Sequence, residues 1–581
     1  MKLEHNVDFC VVGGGLAGLC AAIAAARGGA KTVLMHDRPL LGGNASSEIR
    51  MWVCGAHGKG NKETGILEEI QLENLYRNPT MNYSIWDSIL YEKAMAEPNL
   101  TLLLNCSCCD ADMDGSRIVS VKGWQGTAET WHTVYAKYFA DCSGDSILAP
   151  LTGAEYRVGR EGRDEYGESI APEQPDSKTM GMSCLIQLRD TGRPQTFIPP
   201  DWAHTYPSDA DLPHADHSLL SNFWWMELGG EEDSIHDTEK LRDELLKIAF
   251  GVWDHIKNYG GSCGDADHGA ENYALEWMGF LPGKRESRRY VGDYIMTQHD
   301  IEAGGPFEDI AAYGGWSMDD HFPAGFHYRG GHPTIHHPAP SPYGIPYRCL
   351  YSKNIANLFF AGRNISATHT ALSSTRVMGT CAILGQAVGT AAALAVHDGV
   401  LPRKVDIHQL QNALMADDCW LPGLRQPVPD FIASEHVLVN GHDRGDKNAW
   451  VCRPDDSIEI IFTRAVCLSE IRLVFDSDLN DNKRMPHIWP LGEHQRHLPE
   501  CLVKSYTLSG LVNGVWVELV RAEENHQRLT VHAVNCEARA IRLTVHASHG
   551  ADEFRVFSMY AKEKPSLKHI KTSRNDRIVP L

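Results

Sequence analysis

Near the N-terminus, Gly13-Gly14-Gly15-Leu16-Ala17-Gly18 carries the spacing G-x-G-x-x-G, and Asp37 follows further along. That combination holds a dinucleotide. Gly13 allows a tight turn, Gly15 lets a pyrophosphate reach the backbone, and Gly18 lets a helix pack against a strand. A helix N-terminus adds free N–H donors and the positive end of its dipole, while a carboxylate at 37 accepts hydrogen bonds from a ribose diol. Other residues are suited to proton and anion chemistry. His57 and His369 offer imidazoles, whose unperturbed pKa near 6.5 suits a base, and Arg376 offers a guanidinium.

Further groups invite a metal and are read otherwise. Cys106 and Cys109 have C-x-x-C spacing, but no second pair follows at zinc-ligand distance. His327, His332, His336 and His337 cluster with Tyr328 and Arg329 in a Gly/Pro-rich segment without a helical i, i+4 pair, which favours substrate contact. Asp476, Asp478, Asn480 and Asp481 are read as a solvated loop before a calcium site. No metal is expected. Arg285, Arg288 and Arg289 are read by default as partners for surplus carboxylates.

These residues need elements to place them. Residues 8–13 form an apolar strand, residues 16–29 an Ala/Leu-rich helix, and residues 31–36 a second apolar strand, so the chain opens with a β-α-β unit. Residues 136–145 read as a strand ending in Asp141-Cys142-Ser143-Gly144-Asp145. Residues 357–364 read as another, followed by a long helix of small residues over about 376–395. Gly385 and Gly389 in that helix are read as packing positions. Between residues 161 and 340 the composition shifts toward Asp, Pro, Trp and His. An amphipathic helix is expected from Asp237 to Asn258, with Leu241, Leu245, Ile248, Val252 and Ile256 on one face. Residues 401–430 hold several prolines and are read as a linker. From 431, short alternating runs such as 457–462, 470–475, 516–520 and 540–545 predict an antiparallel β-sandwich.

The chain has 581 residues and a net charge of −21, a balance that repels a phosphate backbone and argues against a nucleic-acid partner. Its only basic run is the tail at 562–577. Sixteen cysteines scattered through apolar segments read as free thiols of a reducing compartment. No targeting pattern opens the sequence, and no apolar run reaches the ~20 residues of a membrane span, so a cytoplasmic protein is expected.

The glycine fingerprint, Gly42-Gly43-Asn44, Trp224-Trp225-Met226-Glu227, the segment from Arg285 to Asp293, Tyr343-Gly344-Ile345-Pro346-Tyr347-Arg348 and Ala361-Gly362-Arg363 occur in an order that resembles one family. It is that of the FAD-dependent oxidoreductases of the glutathione-reductase and fumarate-reductase-like superfamily, and the resemblance covers roughly residues 6–400. It implies an α/β fold: a split, Rossmann-like FAD-binding domain (1–160 and 341–400) around an inserted α+β substrate domain (161–340). The linker (401–430), a sandwich that looks galactose-binding-like (431–563) and a tail (564–581) complete the chain. The implied FAD contacts are Gly13, Gly14, Gly15, Ala17, Gly18, Asp37, Arg38, Gly43, Asn44, Ser143, Gly144, Asp145, Gly362 and Arg363. Departures are Asp37 where Glu is commoner, and Cys142-Ser143-Gly144 for the usual Ala/Thr-Thr-Gly.

By the same likeness, His57 and the 368–376 stretch reach the flavin ring, which makes His369, His57 and Arg376 the catalytic candidates. In fumarate-reductase-like relatives the latter region reads His-Gly-x-Asn-Arg; here the Asn is absent and the spacing longer. No second G-x-G-x-x-G and no C-x-x-x-x-C pair follow, so electrons pass to or from a separate acceptor or donor. The expected function is oxidation of a carbohydrate or glycoside hydroxyl with a histidine base. Two alternatives are a fumarate-reductase-like carboxylate enzyme clamped by Arg376 and Arg288, and a carbohydrate-binding scaffold with a vestigial flavin fold. The expected partner is a small molecule, and a homo-oligomer is compatible with the sequence.

Overall fold

A computed structural model describes residues 1–213, 217–219, 221–260, 269–433, 436–486 and 496–564. The tail beyond 564 lies outside the described residues. The opening unit is longer than the apolar run alone suggests. Strand β1 spans Lys2–Val12, helix α1 Leu16–Arg27 and strand β2 Thr32–Met35. The first half of β1 is mostly exposed and its last four residues are buried, so only that end carries the apolar signature. Strands β3 (Leu100–Leu103), β4 (Cys106–Asp114), β5 (Arg117–Gln125) and β6 (Thr130–Asp141) complete a sheet in the order β3-β2-β1-β6-β5-β4. The strand Leu358–Phe360 adds to β6 in parallel, joining the two halves of the expected split domain in one sheet. Register pairs Val12 with both Met35 and Asp141, so the carboxyl ends of β1, β2 and β6 lie side by side. In an open parallel sheet this is where a ligand binds.

Helix α1 is buried from Leu16 to Ala26, which its Ala-rich sequence permits. The helix Met378–Asp398 packs on it at close range: a Cβ on Gly385 would stand 2.0 Å from the Ala17 carbonyl oxygen, and one on Gly389 2.1 Å from that of Ala21. This helix is long and apolar enough to cross a bilayer, yet 89% of its most apolar window is buried in the fold.

The inserted segment is α+β. Its helix spans Thr238–Asp254 and continues as a π-helical turn, His255–Tyr259. Leu241, Leu245, Ile248, Val252 and Ile256 are buried against Met182, Phe223 and Trp225. Asp237 precedes the helix, but its side chain makes no capping bond. Among the described residues the segment also holds short antiparallel sheets, including a hairpin of Met318–His321 and Thr334–His337.

The stretch expected as a linker is structured. It holds the helix Ile407–Ala416, in which Leu410 and Leu414 are buried and Gln411 Nε2 donates to the carbonyls of Glu308 and Ile310. The prolines flank this helix, and its Leu410/Leu414 spacing is the i, i+4 signal of a packed face.

The chain divides into two compact units: Met1–Leu414 with Cys419–Pro422 and Lys483–Arg496, and Met415–Asp418 with Gly423–Asn482 and His497–Leu581. The second is an antiparallel β-sandwich of six strands in the order Trp450–Cys452, Phe554–Glu563, Ser457–Phe475, Leu529–Ser548, Val503–Val512, Val515–Ala522. Runs 457–462 and 470–475 belong to one long strand, bent at register shifts after Ile461 and Leu468. In the 476–481 loop, the Asp476 and Asp478 carboxylates accept from the backbone amides of Asp478 and Asn480.

Candidate active site

A cavity of about 590 Å³ opens at the carboxyl ends of β1, β2 and β6 and runs under the inserted segment. Gly13, Gly14, Gly15, Ala17, Asp37, Arg38, Gly43, Asn44, Ser143, Gly144, Asp145, Gly362 and Arg363 line one end. Gly18 does not; a Cβ there would lie 1.8 Å from the Gly13 carbonyl oxygen, so it serves the strand-to-helix turn. Gly13 has φ +103° and a Cβ on it would strike Cys142 and Ser143 at 2.5 Å. At Gly15 the same atom would meet only Gly43, at 3.8 Å, which leaves the approach to the backbone open. No side chain caps α1 and no acid occupies its first turn, so its amides and dipole remain for an anion.

One residue at this end had no sequence signal beyond its place beside the acid. The Gly14 amide donates to His36 Nδ1 at 3.0 Å, which places the imidazole proton on Nε2, facing the Leu40 carbonyl at 3.1 Å. His36 Nδ1 also lies 3.1 Å from Asp37 Oδ1, and the Asp37 side chain is about half exposed. The Asp37 carboxylate therefore keeps its acceptor capacity. Across the cavity, Asp145 takes Arg363 at 2.8 Å, Lys284 at 2.9 Å and the Ser287 hydroxyl at 2.8 Å. Burial alone would raise the Asp145 pKa, and the Arg363 and Lys284 charges bring it down to about 2. Thus Asp145 fixes Arg363, whose buried Nε has no partner among the described residues. An open glycine cradle, a free helix end, a carboxylate and fixed cations fit the ribose and pyrophosphate of FAD.

The other end is walled by Trp224, Trp316, Asp319, His321, His336 and Arg376. The Met318–His321 hairpin strand explains three of them. Asp319 and His321 are two apart and share a face, and Asp319 pairs across the ladder with His336. His321 Nδ1 lies 2.6 Å from Glu227 Oε2 and Nε2 3.3 Å from Asp319 Oδ2. Arg285 NH1 stands 3.3 Å from Glu227, and Arg376 NH2 3.1 Å from Asp319, while Arg376 Nε has no partner among the described residues. Burial would lower the His321 pKa, but Glu227 and Asp319 outweigh it and raise it. Burial would raise that of Asp319, yet His321 and Arg376 hold it well below the carboxylate range.

Of the three catalytic candidates, only Arg376 lines the cavity. His369 starts the helix His369–Thr375 but is buried behind the hairpin, with Nδ1 2.8 Å from Glu286 and Nε2 3.2 Å from Asp320. Asp320 is on the strand face opposite Asp319. The two carboxylates overcome burial and raise the His369 pKa to about 10, so it stays an imidazolium. That placement corrects the expectation of a base there. Glu286 also pairs with Arg289, which reaches Glu161 at 2.7 Å, making this a buried charge network. His57 sits behind the wall, stacked on Trp316 with ring centroids 4.3 Å apart. In the histidine cluster, His336 faces the cavity, while His332 bonds the Thr334 carbonyl at 3.0 Å. Glu227, Asp319 and His321 were not anticipated as site residues; only the Trp224–Glu227 run carried a signal.

Among solved structures, the chain is similar to p-nitrophenol 4-monooxygenase PnpA from Pseudomonas putida DLL-E4, at 12% identity over 71% of this chain and 85% of that one, with a TM-score of 0.31. A geranylgeranyl bacteriochlorophyll reductase-like protein from Thermoplasma acidophilum matches at 11% identity over 71% and 83%, with a TM-score of 0.30. The family 32 carbohydrate-binding module of Streptococcus pneumoniae EndoD matches at 16% identity over 23% of this chain and 92% of its own, with a TM-score of 0.18. A family model described as FAD dependent oxidoreductase matches residues 8–414, the stretch that builds the sheet and cavity. FAD is accordingly the cofactor, and the chain belongs to the FAD dependent oxidoreductase family.

Proposed function

We propose that this enzyme oxidises a hydroxyl group of a carbohydrate or glycoside to a carbonyl. The observation that carries the reading is the make-up of the reaction end, where two indoles, Trp224 and Trp316, share one cavity with Asp319, His321 and His336. A sugar presents apolar C–H faces beside hydroxyls, and such faces pack on aromatic rings while the hydroxyls bond to carboxylates and imidazoles. The glycine turn, Asp37, Arg38 and Arg363 would hold FAD, which when bound would supply the two-electron oxidant for a C–H hydride.

The protein must then remove the hydroxyl proton. Glu227 orients His321 through Nδ1, leaving Nε2 on the side of Asp319. In this reading the hydroxyl donates to Asp319 or His321, and its proton ends on the Asp319–His321–Glu227 chain when His321 enters the cycle neutral. Arg376 holds Asp319 in place. Balance is kept: the C–H pair leaves as hydride, the O–H proton passes to the imidazole, and the carbon becomes a carbonyl. No second nucleotide motif exists in the sequence, which supports a separate electron acceptor.

The carboxylate alternative has less support. Arg376 and Arg285 already face Asp319 and Glu227, so cationic and anionic groups balance in this wall. Arg288 contacts the Asp145 carbonyl at 3.4 Å and the Tyr156 ring. The test is anaerobic equilibrium titration of the FAD-loaded enzyme with a panel of sugars, glycosides and dicarboxylates, read at the flavin band at about 450 nm. Bleaching by a sugar or glycoside supports the proposal. Response to carboxylates alone overturns it.

A further inference from the structure

Away from the catalytic cavity, three side chains of the inserted segment converge without a role in the chemistry above. Asp209 opens a short 3-10 turn, Asp209–Asp211, His217 follows it, and His255 begins the π-helical turn at the end of the long helix. Their ligand atoms all lie within 4.8 Å of one another. His255 Nε2 is 2.8 Å from Asp209 Oδ1, and His217 Nδ1 is 3.3 Å from the same oxygen. The two imidazoles meet edge to face, 5.1 Å between centroids. His255 is fully buried and His217 nearly so, while Asp209 keeps 30% of its side chain exposed.

His255 Nδ1 stands 2.7 Å from the Tyr206 carbonyl oxygen, to which it donates. Nε2 of the same ring is aimed at Asp209, beside His217 Nδ1. A cation among the three atoms would use the Nε2 lone pair, the second imidazole nitrogen and the carboxylate together. Ligands ~2.1 Å from one tetrahedral ion stand about 3.4 Å apart; the 3.3 Å between His217 Nδ1 and Asp209 is close to this, and the 2.8 Å between His255 Nε2 and Asp209 would open slightly around an ion. The Tyr206 carbonyl supplies the outer hydrogen bond that fixes the tautomer of a metal-bound histidine. A π-helical turn at the ligand is a further mark, since such turns concentrate at functional positions.

We propose that Asp209, His217 and His255 bind a divalent transition-metal ion of the zinc type, which ties Asp209 and His217 to the end of the Thr238–Asp254 helix. Two imidazoles and one carboxylate are a borderline donor set that favours zinc over calcium or magnesium. None of the three residues lines the catalytic cavity, so the ion is structural and its binding stabilises the folded segment.

The test uses the full FAD-loaded chain, stripped with a chelator and titrated with zinc chloride alone. Metal content after gel filtration and the melting temperature are both read. One zinc per chain and a rise of about 3 °C or more are expected for the wild type. D209N and H217A should lose both, with the flavin-to-protein ratio unchanged. A wild type that neither retains zinc nor shifts its melting temperature overturns the proposal. Equal binding by wild type, D209N and H217A also overturns it, since the ion would then sit elsewhere. The wild-type titration decides the matter even if a variant fails to fold.

Discussion

His321 is held between Glu227 and Asp319, and both its function and its pH dependence follow from those neighbours. Their charges raise its pKa above 6.5, so a base at this position is neutral only on the alkaline side. The rate of flavin reduction should therefore rise with pH along a limb lying above 6.5. A limb at or below that value would remove His321 from the base role. Asp37 acts at the other end. Its half-exposed carboxylate lines the cavity and is available to the ribose, and D37A should weaken FAD binding by about 10- to 100-fold. Fluorescence titration of apoprotein with FAD measures this, and D37E should restore most of the affinity. His369 acts on stability instead. Its folded pKa near 10 exceeds the unfolded value near 6.5, so its contribution is complete below 6.5 and disappears as pH rises through about 10. Melting temperatures should fall over that window in the wild type and fall less in H369Q.

At the scale of elements, the dinucleotide end was legible because its signals are local. Strand, glycine turn, helix and acid fit within 30 residues, and each glycine has a steric reason readable from spacing. The reaction end was not legible because Glu227, His321 and Arg376 are brought together from three distant segments. Hairpin register alone decides that Asp319 faces the cavity and Asp320 faces His369. His369 looked like a base from its position after the flavin strand, but its partners Glu286 and Asp320 come from far upstream. In the 401–430 stretch the prolines suggest a linker and mask the short apolar spacing of Leu410 and Leu414 that forms a helix. The contact of α1 with the helix Met378–Asp398 makes its own prediction. G385L would drive a side chain into the Ala17 carbonyl, and overpacking of this kind costs about 1–3 kcal/mol or more. Because Ala17 lies at the start of α1 and lines the cofactor end of the cavity, the variant should melt lower and carry less FAD per chain. A wild-type melting temperature and flavin ratio would contradict this packing account.

For the whole molecule, family membership accounts for residues 8–414 and the remaining sandwich stands as a separate unit. The family establishes FAD chemistry, while the substrate class rests on the residues that wall the reaction end. The central claim is that hydride leaves a sugar carbon as the hydroxyl proton passes to the His321 chain. Its most direct test is single-turnover flavin reduction, without oxygen, by the sugar or glycoside that bleaches the wild type, compared with H321N at equal FAD loading. The account predicts that H321N retains FAD and substrate binding but reduces its flavin about 100-fold more slowly or worse. Equal reduction rates in the two proteins would contradict it.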